Sequence, residues 1–517
     1  MKNFKKVLSK EGYNLKKVLS KEVYNLRKVL SKEGHNSGLN AAVYAFLDSD
    51  VKIVTGVPGF PITSLMEALG ERIRHEWSIN EKVALELALG SSVCGERSAV
   101  ITKHVGMNVL SDPLVTSATH TIGAGLVIIA GDDPGVQKSQ NEQDSRLYGL
   151  IAEVPVFDPP TPEALYLSIK EAFELSENVS TPVIIRLTDR LLISEGNITR
   201  EIKSKSKPMC LDKKIWHLTM FGKHQNFHRI SFPRMREYAG RSNLNTYKKR
   251  GASGIISSGF PTSLVDSIIP DNFSHLSLGI INPLPLDTVN RFMDEHERVL
   301  VVEETEPVIE RQLTKRVLGK LTGHLPYGII EIEDIQKAIQ NINNDTVARD
   351  IIPQTIKERG LRQICQDCPY IPLYNAIKEL NVPVAGDLGC SIMTSSPPLS
   401  LLDAAFSLGS AIGTACGFSR KGIAIIGDFG LAHSGIAGLI NAVHNKHELL
   451  VIVLQNEVAA MTGGQQVPDL TGLVSSYVKD TEIIDPQANI DIKDILEKKL
   501  ESKGISVILA RAVCPRY

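Results

Sequence analysis

The stretch GIAIIGDFGLAHSGIAGLINAVHNKHELLVIVLQNEVAAMTG, residues 422–463, decides the fold class. Two short runs rich in Ile, Val and Leu flank a segment that fits a helix, which is the order of a strand, a crossover helix and a parallel strand. The first run ends at Gly427-Asp428 and the second at Gln455-Asn456. Because parallel strands place their carboxyl ends at one edge of a sheet, we expect Asp428 and Asn456 to converge on one ligand.

The oxygen atoms at this edge fit a divalent cation. A carboxylate from Asp428, an amide oxygen from Asn456 and a backbone carbonyl are hard ligands of the kind that Mg²⁺ prefers, and Mg²⁺ keeps further positions for water and phosphate oxygens. A lone Gly-Asp after a strand is more often a turn with a helix cap. Its pairing with an asparagine one strand later favours the cation site.

Other parts of the chain repeat the α/β pattern. Strand-like runs alternate with helical segments in residues 37–195, 251–345 and 346–517, and this alternation predicts doubly wound parallel sheets covered by helices. We expect one helix over Leu401–Cys416 and a strand in YGIIEIE, residues 327–333. The sequence therefore predicts three α/β domains.

Two basic segments lie outside these domains. Residues 1–36 hold three near-copies of one 11-residue unit, FKKVLSKEGYN in the first copy. This basic amphipathic pattern is typical either of a docking segment or of a dispensable tandem duplication. Residues 196–250 carry many Lys and Arg between aromatic residues, and we interpret them as a solvated linker rather than as an RNA-binding strip.

The overall composition excludes several classes of protein. Lys+Arg total 57 and Asp+Glu 58, a net charge of −1, which argues against a dedicated nucleic-acid binder. No apolar run reaches the roughly 18 residues of a transmembrane helix, and the start lacks an apolar signal core, so we expect a cytoplasmic protein. Seven cysteines, an odd number, argue against a disulfide-stapled secreted protein and leave metal-binding thiolates open.

The spacing of Asp428 and Asn456 resembles the diphosphate-Mg²⁺ motif of thiamine diphosphate enzymes. From about Ser37 to the C terminus, the chain further resembles the large subunit of indolepyruvate ferredoxin oxidoreductase. The motifs that carry this resemblance follow one another in order: TGVPGFP, EWSINEKVALELALG, KHVGMNVLSDPL, IIAGDDPG, SQNEQDSR, VVEETEPVIE and GDLGC. The resemblance implies the thiamine diphosphate-binding fold, with a pyrimidine-binding domain at 37–195, a transketolase C-terminal-like domain at 251–345 and a diphosphate-binding domain at 346–517.

The resemblance also implies an activity. Such enzymes bind thiamine diphosphate and Mg²⁺ and oxidatively decarboxylate aryl 2-oxoacids such as indolepyruvate to acyl-CoA. Coenzyme A is the co-substrate, and the electrons pass to ferredoxin or a ferredoxin-like protein. A small second subunit completes the enzyme, so we expect a hetero-oligomer.

Two features depart from the family. Large subunits usually end in a ferredoxin-like domain with two CxxCxxCxxxCP runs, and this sequence stops at Tyr517 without them. A non-oxidative thiamine diphosphate-dependent 2-oxoacid decarboxylase or carboligase is therefore the alternative function. In addition, Phe60 stands where the family has a threonine that contacts the substrate, which leaves the identity of the 2-oxoacid open.

Roles for individual residues follow from the same resemblance. Glu81 is expected to hydrogen-bond the aminopyrimidine ring, and Val458 to supply the carbonyl ligand of Mg²⁺. Loop residues after strands are expected close to the thiazolium and the substrate: Lys103, His104 and Asn108 as catalytic residues, with Asp132, Asp133 and Asn141 in the same pocket. Gly427, His433 and Met461 complete the expected cofactor-binding set.

Four of the cysteines have a proposed role. Cys365 and Cys368 form a CxxC, Cys390 lies in GDLGC, and Cys514 lies beside the last strand-like run. In the wider family of 2-oxoacid oxidoreductases, cysteines in these positions hold a [4Fe–4S] cluster, which needs four thiolates. A Cys₄ zinc site and free thiols remain the alternatives.

Overall fold

The computed structural model describes residues 36–200, 209–348 and 364–517. The chain divides into two compact units, Met1–Ile351 and Ile352–Tyr517. Residues 1–35, which hold nearly all of the 11-residue repeats, lie outside the described residues, as do residues 201–208 of the basic segment.

The first unit contains thirteen described strands and a set of helices around them. The strands are β1 (Asn36–Ser37), β2 (Ile53–Gly56), β3 (Arg74–Trp77), β4 (Ser98–Lys103), β5 (Leu126–Asp132), β6 (Val156–Phe157), β7 (Val183–Thr188), β8 (Glu195–Gly196), β9 (Thr246–Lys248), β10 (Ser253–Ser258), β11 (Phe273–Leu278), β12 (Ile280–Asn282) and β13 (Arg298–Val302). The α-helices are Gly38–Asp48, Thr63–Gly70, Glu81–Val93, His104–His120, Leu147–Ala152, Pro162–Val179, Asp189–Ile193, Lys213–Trp216, Met220–Asn226, Phe232–Arg241, Pro261–Ile268, Leu286–Glu295 and Ile332–Gln340.

The main sheet of this unit has seven strands in the order β12-β6-β7-β5-β4-β2-β3. Its neighbouring strands are parallel, apart from β12, which pairs with β6 in the antiparallel sense. Every residue of β5 and β7 is buried, as expected for Val- and Ile-rich strands with helices on both faces. The parallel α/β architecture predicted for residues 37–195 is confirmed.

A second sheet of four strands, in the order β13-β10-β11-β9, lies in the same unit. Residues 37–195 and 251–345 were expected as separate domains, but they share one compact unit. Strand β12 completes the main sheet, and Ile256 of β10 belongs to the same hydrophobic cluster as Val100 of β4. No strand forms in residues 327–333, because Glu331 and Asp334 instead form a capping box that starts the helix Ile332–Gln340.

The basic segment is folded where it is described, so its interpretation as a solvated linker is wrong for this part. A helix with one π-helical turn, Phe227–Ser231, runs from Met220 to Arg241, and β9 follows it in the second sheet. Phe227, Met235 and Ala239 are buried in the core cluster of the main sheet. These apolar residues are separated by charged ones in the sequence, but they lie on one face of the helix and form a buried stripe. The high charge of the segment concealed this pattern.

The second unit is a five-stranded parallel sheet in the order β14-β15-β16-β20-β19. Its strands are β14 (Val384–Ala385), β15 (Ile423–Gly427), β16 (Leu449–Gln455), β19 (Thr481–Ile484) and β20 (Ile505–Arg511), with a hairpin of β17 (Val458–Ala459) and β18 (Gln465–Gln466). The helices are Ile371–Lys378, Ala411–Cys416, Asp428–Gly430, Ile436–His444, Thr471–Tyr477 and Ile492–Glu501.

One predicted helix of the second unit is much shorter than expected. The helix predicted over Leu401–Cys416 covers only Ala411–Cys416. Gly409 has a φ of +85° and lies so close to Ser434 that a side chain on it would clash, which ends regular structure before the helix. The strand, helix and strand read from residues 422–463 are confirmed.

Candidate active site

The edge of the second unit's sheet brings Asp428 and Asn456 together. Strands β15 and β16 run parallel with Gly427 opposite Leu454, so both chains leave the sheet at the same edge. One carboxylate oxygen of Asp428 accepts hydrogen bonds from the backbone N–H groups of Asn456 at 2.9 Å and Glu457 at 2.6 Å. The Asp428 carboxylate therefore lies against the backbone that follows β16, and Asn456 stands beside it in the chain that leaves the sheet.

The electrostatics of Asp428 fit a bound cation. The side chain is 8% exposed, and burial raises its pKa to about 6. Three backbone N–H groups, including that of Phe429 at 2.8 Å, fix the orientation of the carboxylate. The amide oxygen of Asn456 accepts a hydrogen bond from the Val458 N–H at 3.2 Å, which orders the turn into β17. These hard oxygen atoms form a donor set that fits Mg²⁺.

A π-helical turn follows Asp428. The chain continues from Asp428–Gly430 through the π segment Leu431–Gly435 into the helix Ile436–His444. His433 lies in this segment, is buried, and contacts the Ser434 hydroxyl at 3.2 Å. Such turns inside α-helices are frequent at functional sites.

Asp387 is a buried carboxylate beside this turn that the sequence analysis did not single out. Its Oδ1 accepts hydrogen bonds from the N–H groups of Gly409 at 2.6 Å and Leu388 at 2.8 Å, while its Oδ2 has no hydrogen-bond partner. Burial raises its pKa to about 6. A Cβ added to Gly430 would lie 1.9 Å from that free oxygen. The only signal in the sequence was the Asp of GDLGC, which was read for its cysteine.

Space for a ligand remains at the end of β15. A Cβ added to Gly427 would meet no atom within 4 Å. Met461 is half-exposed in the turn between β17 and β18. The open backbone at Gly427 leaves room for a group such as a diphosphate. The unpartnered oxygen of Asp387 fits a hydrogen-bond donor or a cation, because buried polar atoms normally have a partner and a carboxylate only accepts.

Three of the four cysteines that were assigned to a cluster act electrostatically on the fourth, Cys390. Burial raises the pKa of the Cys390 thiol to about 11, and the charges of Cys514, Cys368 and Cys365 contribute in the same direction. All seven cysteines lie in the described part of the chain, and none forms a disulfide. Among the described residues, no three His, Cys, Asp or Glu side chains lie together as the ligands of a single metal ion. A four-iron cluster instead takes one thiolate per iron.

In the first unit, Glu81 is the first residue of the helix Glu81–Val93. The side chain of Asn80 caps this helix by accepting a hydrogen bond from the Val83 N–H at 2.9 Å. Glu81 is 6% exposed, and its carboxylate lies against Gly106 in the helix His104–His120. A carboxylate in the first turn of a helix is favoured by the helix dipole.

A group of charged residues lies at the carboxyl edge of β2, β4 and β5. Burial lowers the pKa of Lys103, at the end of β4, and the charge of Asp133 opposes this shift. The Asp133 carboxylate accepts hydrogen bonds from the N–H groups of Gln137 at 3.1 Å and Lys138 at 2.9 Å. The loop so held places the Lys138 ammonium 4.4 Å from the centre of the Phe60 ring. Lys138 was missed because the fold of its loop cannot be read from composition.

His104 and Asn108 were expected in a loop, and this is wrong, because the helix His104–His120 begins directly after β4. His104 is fully buried, and its ring nitrogens face the carbonyl oxygens of Gly131 at 3.3 Å and Asn141 at 3.2 Å. Asn108 is exposed and bonds to the side chains of Gln143 and Tyr148. Both residues therefore tie the helix to the segment that follows β5.

Asp132 was expected in the same pocket, but it is fully buried in an ion pair. Its carboxylate accepts hydrogen bonds from the Arg186 guanidinium at 2.6 Å and from the Ser145 hydroxyl at 2.5 Å. These contacts join β5, β7 and the loop before Leu147. Asp132 is part of the core of the unit, whereas Lys103 is partly exposed and Lys138 is exposed.

Comparisons with known proteins agree with this geometry. Residues 387–508 match the family described as thiamine pyrophosphate enzyme, C-terminal TPP binding domain. The chain is 32% identical to indolepyruvate oxidoreductase subunit IorA of Methanothermobacter thermautotrophicus, over 92% of this chain and 86% of the relative. It is 30% identical to the subunit of the same name from Pyrococcus abyssi, over 93% and 85%.

A solved structure is also similar. It is the 2-oxoglutarate:ferredoxin oxidoreductase of Magnetococcus marinus, with a TM-score of 0.48 and 14% identity, covering 59% of this chain and 64% of that one. Separately, no helix in residues 36–200, 209–348 or 364–517 is both long and apolar enough to cross a membrane.

Proposed function

Since this chain belongs to the family of the thiamine diphosphate-dependent indolepyruvate oxidoreductase subunit IorA, we propose that it catalyses the oxidative decarboxylation of an aryl 2-oxoacid to its coenzyme A thioester. A small second subunit and a ferredoxin-like electron acceptor complete the proposed cytoplasmic enzyme. The observation that carries the proposal is the Asp428 carboxylate at the sheet edge, hydrogen-bonded to the backbone of Asn456 and Glu457.

The proposed cofactor site uses residues of the second unit for the diphosphate end. Asp428, Asn456 and the Val458 carbonyl would hold Mg²⁺, while Gly427, His433 and Met461 would line the diphosphate. Thiamine diphosphate supplies the carbon nucleophile and the electron sink of the reaction, and the protein supplies orientation and electrostatics. The cation would also compensate the buried charge of Asp428, whose pKa burial raises to about 6 in its absence.

The proposed catalytic groups of the first unit are Glu81 and Lys103. The Glu81 carboxylate would hydrogen-bond the aminopyrimidine and hold its proton at the ring nitrogen. Lys103 and Lys138 are the cations at the edge that also carries Phe60, and they would attract the substrate carboxylate. His104 and Asn108 would act by holding the segment after β5 in place, because both already bond to it.

Electrons would leave through a [4Fe–4S] cluster held by Cys365, Cys368, Cys390 and Cys514. The mutual electrostatic influence of these thiols supports the proposal. Iron and acid-labile sulfide, measured after anaerobic reconstitution, should fall in Cys368→Ala and stay unchanged in the control Cys416→Ala. Equal iron in both variants would contradict the assignment of these cysteines.

The aryl side chain of the substrate is proposed from the family and from Phe60. A ring at this position offers stacking area instead of the hydroxyl of a threonine, and aromatic pairs add about 0.5–1.5 kcal/mol beyond their buried area. Phe60→Thr should therefore lower kcat/KM for indolepyruvate more than for pyruvate. An unchanged ratio of the two values would show that Phe60 does not contact the substrate side chain.

Product analysis distinguishes the proposed function from a non-oxidative decarboxylase. The full chain, co-expressed with its small partner subunit, is incubated anaerobically with thiamine diphosphate, Mg²⁺, indolepyruvate, coenzyme A and a one-electron acceptor. The proposal expects a thioester as the main product and its loss in Glu81→Gln. Release of the aldehyde at the same rate with and without the acceptor would instead establish the decarboxylase.

A further inference from the structure

We infer that Gly106 is the residue that positions the Glu81 carboxylate, because only a residue without a side chain leaves room for that carboxylate against the helix His104–His120. This inference rests on the proposed role of Glu81 toward the aminopyrimidine ring. Gly106 does not itself touch the reacting atoms, so it is a positioning residue.

The geometry at Gly106 leaves no space for a methyl group. A Cβ added there would lie 2.4 Å from Oε1 of Glu81 and 2.1 Å from Oγ1 of Thr102. Distances under 3.0 Å are not tolerated by real Cβ atoms, so one of the neighbours would have to move. Thr102 belongs to the fully buried part of β4, and its hydroxyl can turn about one bond only. The Glu81 side chain has three rotatable bonds and is the more mobile of the two neighbours.

The place of Gly106 in its helix strengthens the argument. Glycine inside a helix is less favourable than alanine because it loses more conformational freedom. Gly106 has an ordinary helical backbone, since it is not among the glycines with positive φ. A turn conformation therefore does not explain this glycine, whereas the close approach of Glu81 does.

The position of Glu81 also follows from the helix. Gly106 is the third residue of the helix His104–His120, within the first turn, where backbone N–H groups lack partners inside the helix. The partial positive charge of this end attracts a carboxylate. Because residue 106 has no side chain, the Glu81 carboxylate can lie close to this end of the helix, where the partial positive charge stabilises it.

Gly90 offers a matched control on the helix that carries Glu81. It lies inside Glu81–Val93, and a Cβ added to it would meet no atom within 4 Å. Gly90→Ala and Gly106→Ala make the same chemical change in neighbouring helices, but only the second encounters Glu81. Any general effect of replacing a helical glycine is therefore measured by Gly90→Ala.

The experiment compares the full chain and its Gly106→Ala, Gly90→Ala and Glu81→Gln variants in excess Mg²⁺. The dissociation constant of thiamine diphosphate is measured by isothermal titration calorimetry. The tautomer of the bound aminopyrimidine is measured by near-UV circular dichroism, and the melting temperature is recorded for each variant. The circular dichroism signal reports on the Glu81 contact and does not follow from folding alone.

We expect Gly106→Ala and Glu81→Gln to lose the imino tautomer signal and Gly90→Ala to keep it. Binding of thiamine diphosphate to Gly106→Ala should weaken about tenfold or more, the loss expected when a hydrogen bond to a charged group is broken. A Gly106→Ala variant with wild-type affinity and signal would overturn the inference. If Glu81→Gln keeps the signal, the proposed role of Glu81 fails and the inference fails with it.

A second variant keeps the test decisive if Gly106→Ala does not fold. Thr102→Ala/Gly106→Ala removes the nearest clash and keeps the close contact of the new methyl group with Glu81. This variant should fold, lose the tautomer signal and bind thiamine diphosphate more weakly than Thr102→Ala. A double variant that keeps the signal of Thr102→Ala would contradict the inference.

Discussion

Replacing Arg146 with methionine tests how the two sheets of the first unit are held together. The Arg146 guanidinium is fully buried and makes two hydrogen bonds to the Asp144 carboxylate, at 2.9 Å and 2.6 Å. It also donates to Glu303, which follows β13, at 2.9 Å and to the Ser258 hydroxyl at the end of β10 at 3.3 Å. The residue thus joins the loop after β5 to two strand ends of the second sheet.

The size of the effect follows from what the substitution leaves behind. Asp144 and Glu303 are both fully buried, and both would lose their cationic partner. Removing one partner of a buried ion pair costs about 3–5 kcal/mol, because the remaining charge is uncompensated. Burial raises the pKa of Glu303 to about 7, so this group can become neutral at little further cost. We therefore attribute most of the loss to Asp144.

The pH dependence gives the prediction a second, independent check. Arg146 holds the pKa of Asp144 well below its ordinary value, even though burial acts against this. A carboxyl group with a lowered pKa contributes stability that is present above the pKa of the unfolded chain, about 4, and is lost as the pH falls through the folded value. The difference between wild type and Arg146→Met should therefore shrink below about pH 4.

Urea unfolding followed by far-UV circular dichroism, at pH 6 and at pH 3.5, measures both effects. Arg146→Lys should recover only part of the loss, because an ammonium cannot make the paired hydrogen bonds of a guanidinium. Lys82→Met is the control, since Lys82 makes only exposed ion pairs, and it should leave the transition unchanged. A loss of less than about 1 kcal/mol in Arg146→Met at pH 6 would show that Arg146 does not compensate the charge of Asp144.

Three further substitutions give separate predictions. Asp428→Asn should abolish the Mg²⁺ dependence of thiamine diphosphate binding in calorimetry, and an unchanged dependence would contradict the assigned cation site. Gly430→Ala should destabilise the chain by about 1–3 kcal/mol in denaturant unfolding, since its methyl group would lie 1.9 Å from Asp387, whereas Gly413→Ala, with no atom within 4 Å, should not. Burial lowers the pKa of Lys320 to about 8, so the buried charge destabilises the folded chain fully below pH 8. This destabilisation disappears as the pH rises to about 10.5, the pKa of lysine in the unfolded chain. The free energy of unfolding of wild type should therefore rise by roughly 3 kcal/mol relative to that of Lys320→Met between pH 8 and 10.5, and an equal change in both proteins would contradict this.

The sequence predicts those parts of the fold in which a local residue pattern fits only one kind of secondary structure. The buried runs that end at Gly427 and Gln455 could only form parallel strands around a helix, and Asp428 and Asn456 then had to share an edge. The helix that begins at Glu81 is set by an equally local contact, because Asn80 before it is a strong N-cap residue.

The rest depends on contacts between distant segments. Asp387 is a candidate site residue because it is buried and one of its oxygen atoms has no hydrogen-bond partner, which only the folded structure shows. Lys138 lies over the Phe60 ring because Asp133 fixes the backbone of its loop, and this contact cannot be predicted from the local sequence. His104 was expected in a loop because it follows a strand, yet a helix begins at this residue. Gly106 lies inside that helix, in close contact with Glu81.

The most direct test of the central claim is the anaerobic reduction of a one-electron acceptor such as ferredoxin by indolepyruvate and coenzyme A. The assay uses the full chain with its small partner subunit, thiamine diphosphate and Mg²⁺. We expect two equivalents of acceptor to be reduced per thioester formed, and no reduction when thiamine diphosphate is omitted or Glu81 is replaced by Gln. Acceptor reduction that continues without thiamine diphosphate, or none with any 2-oxoacid, would contradict it.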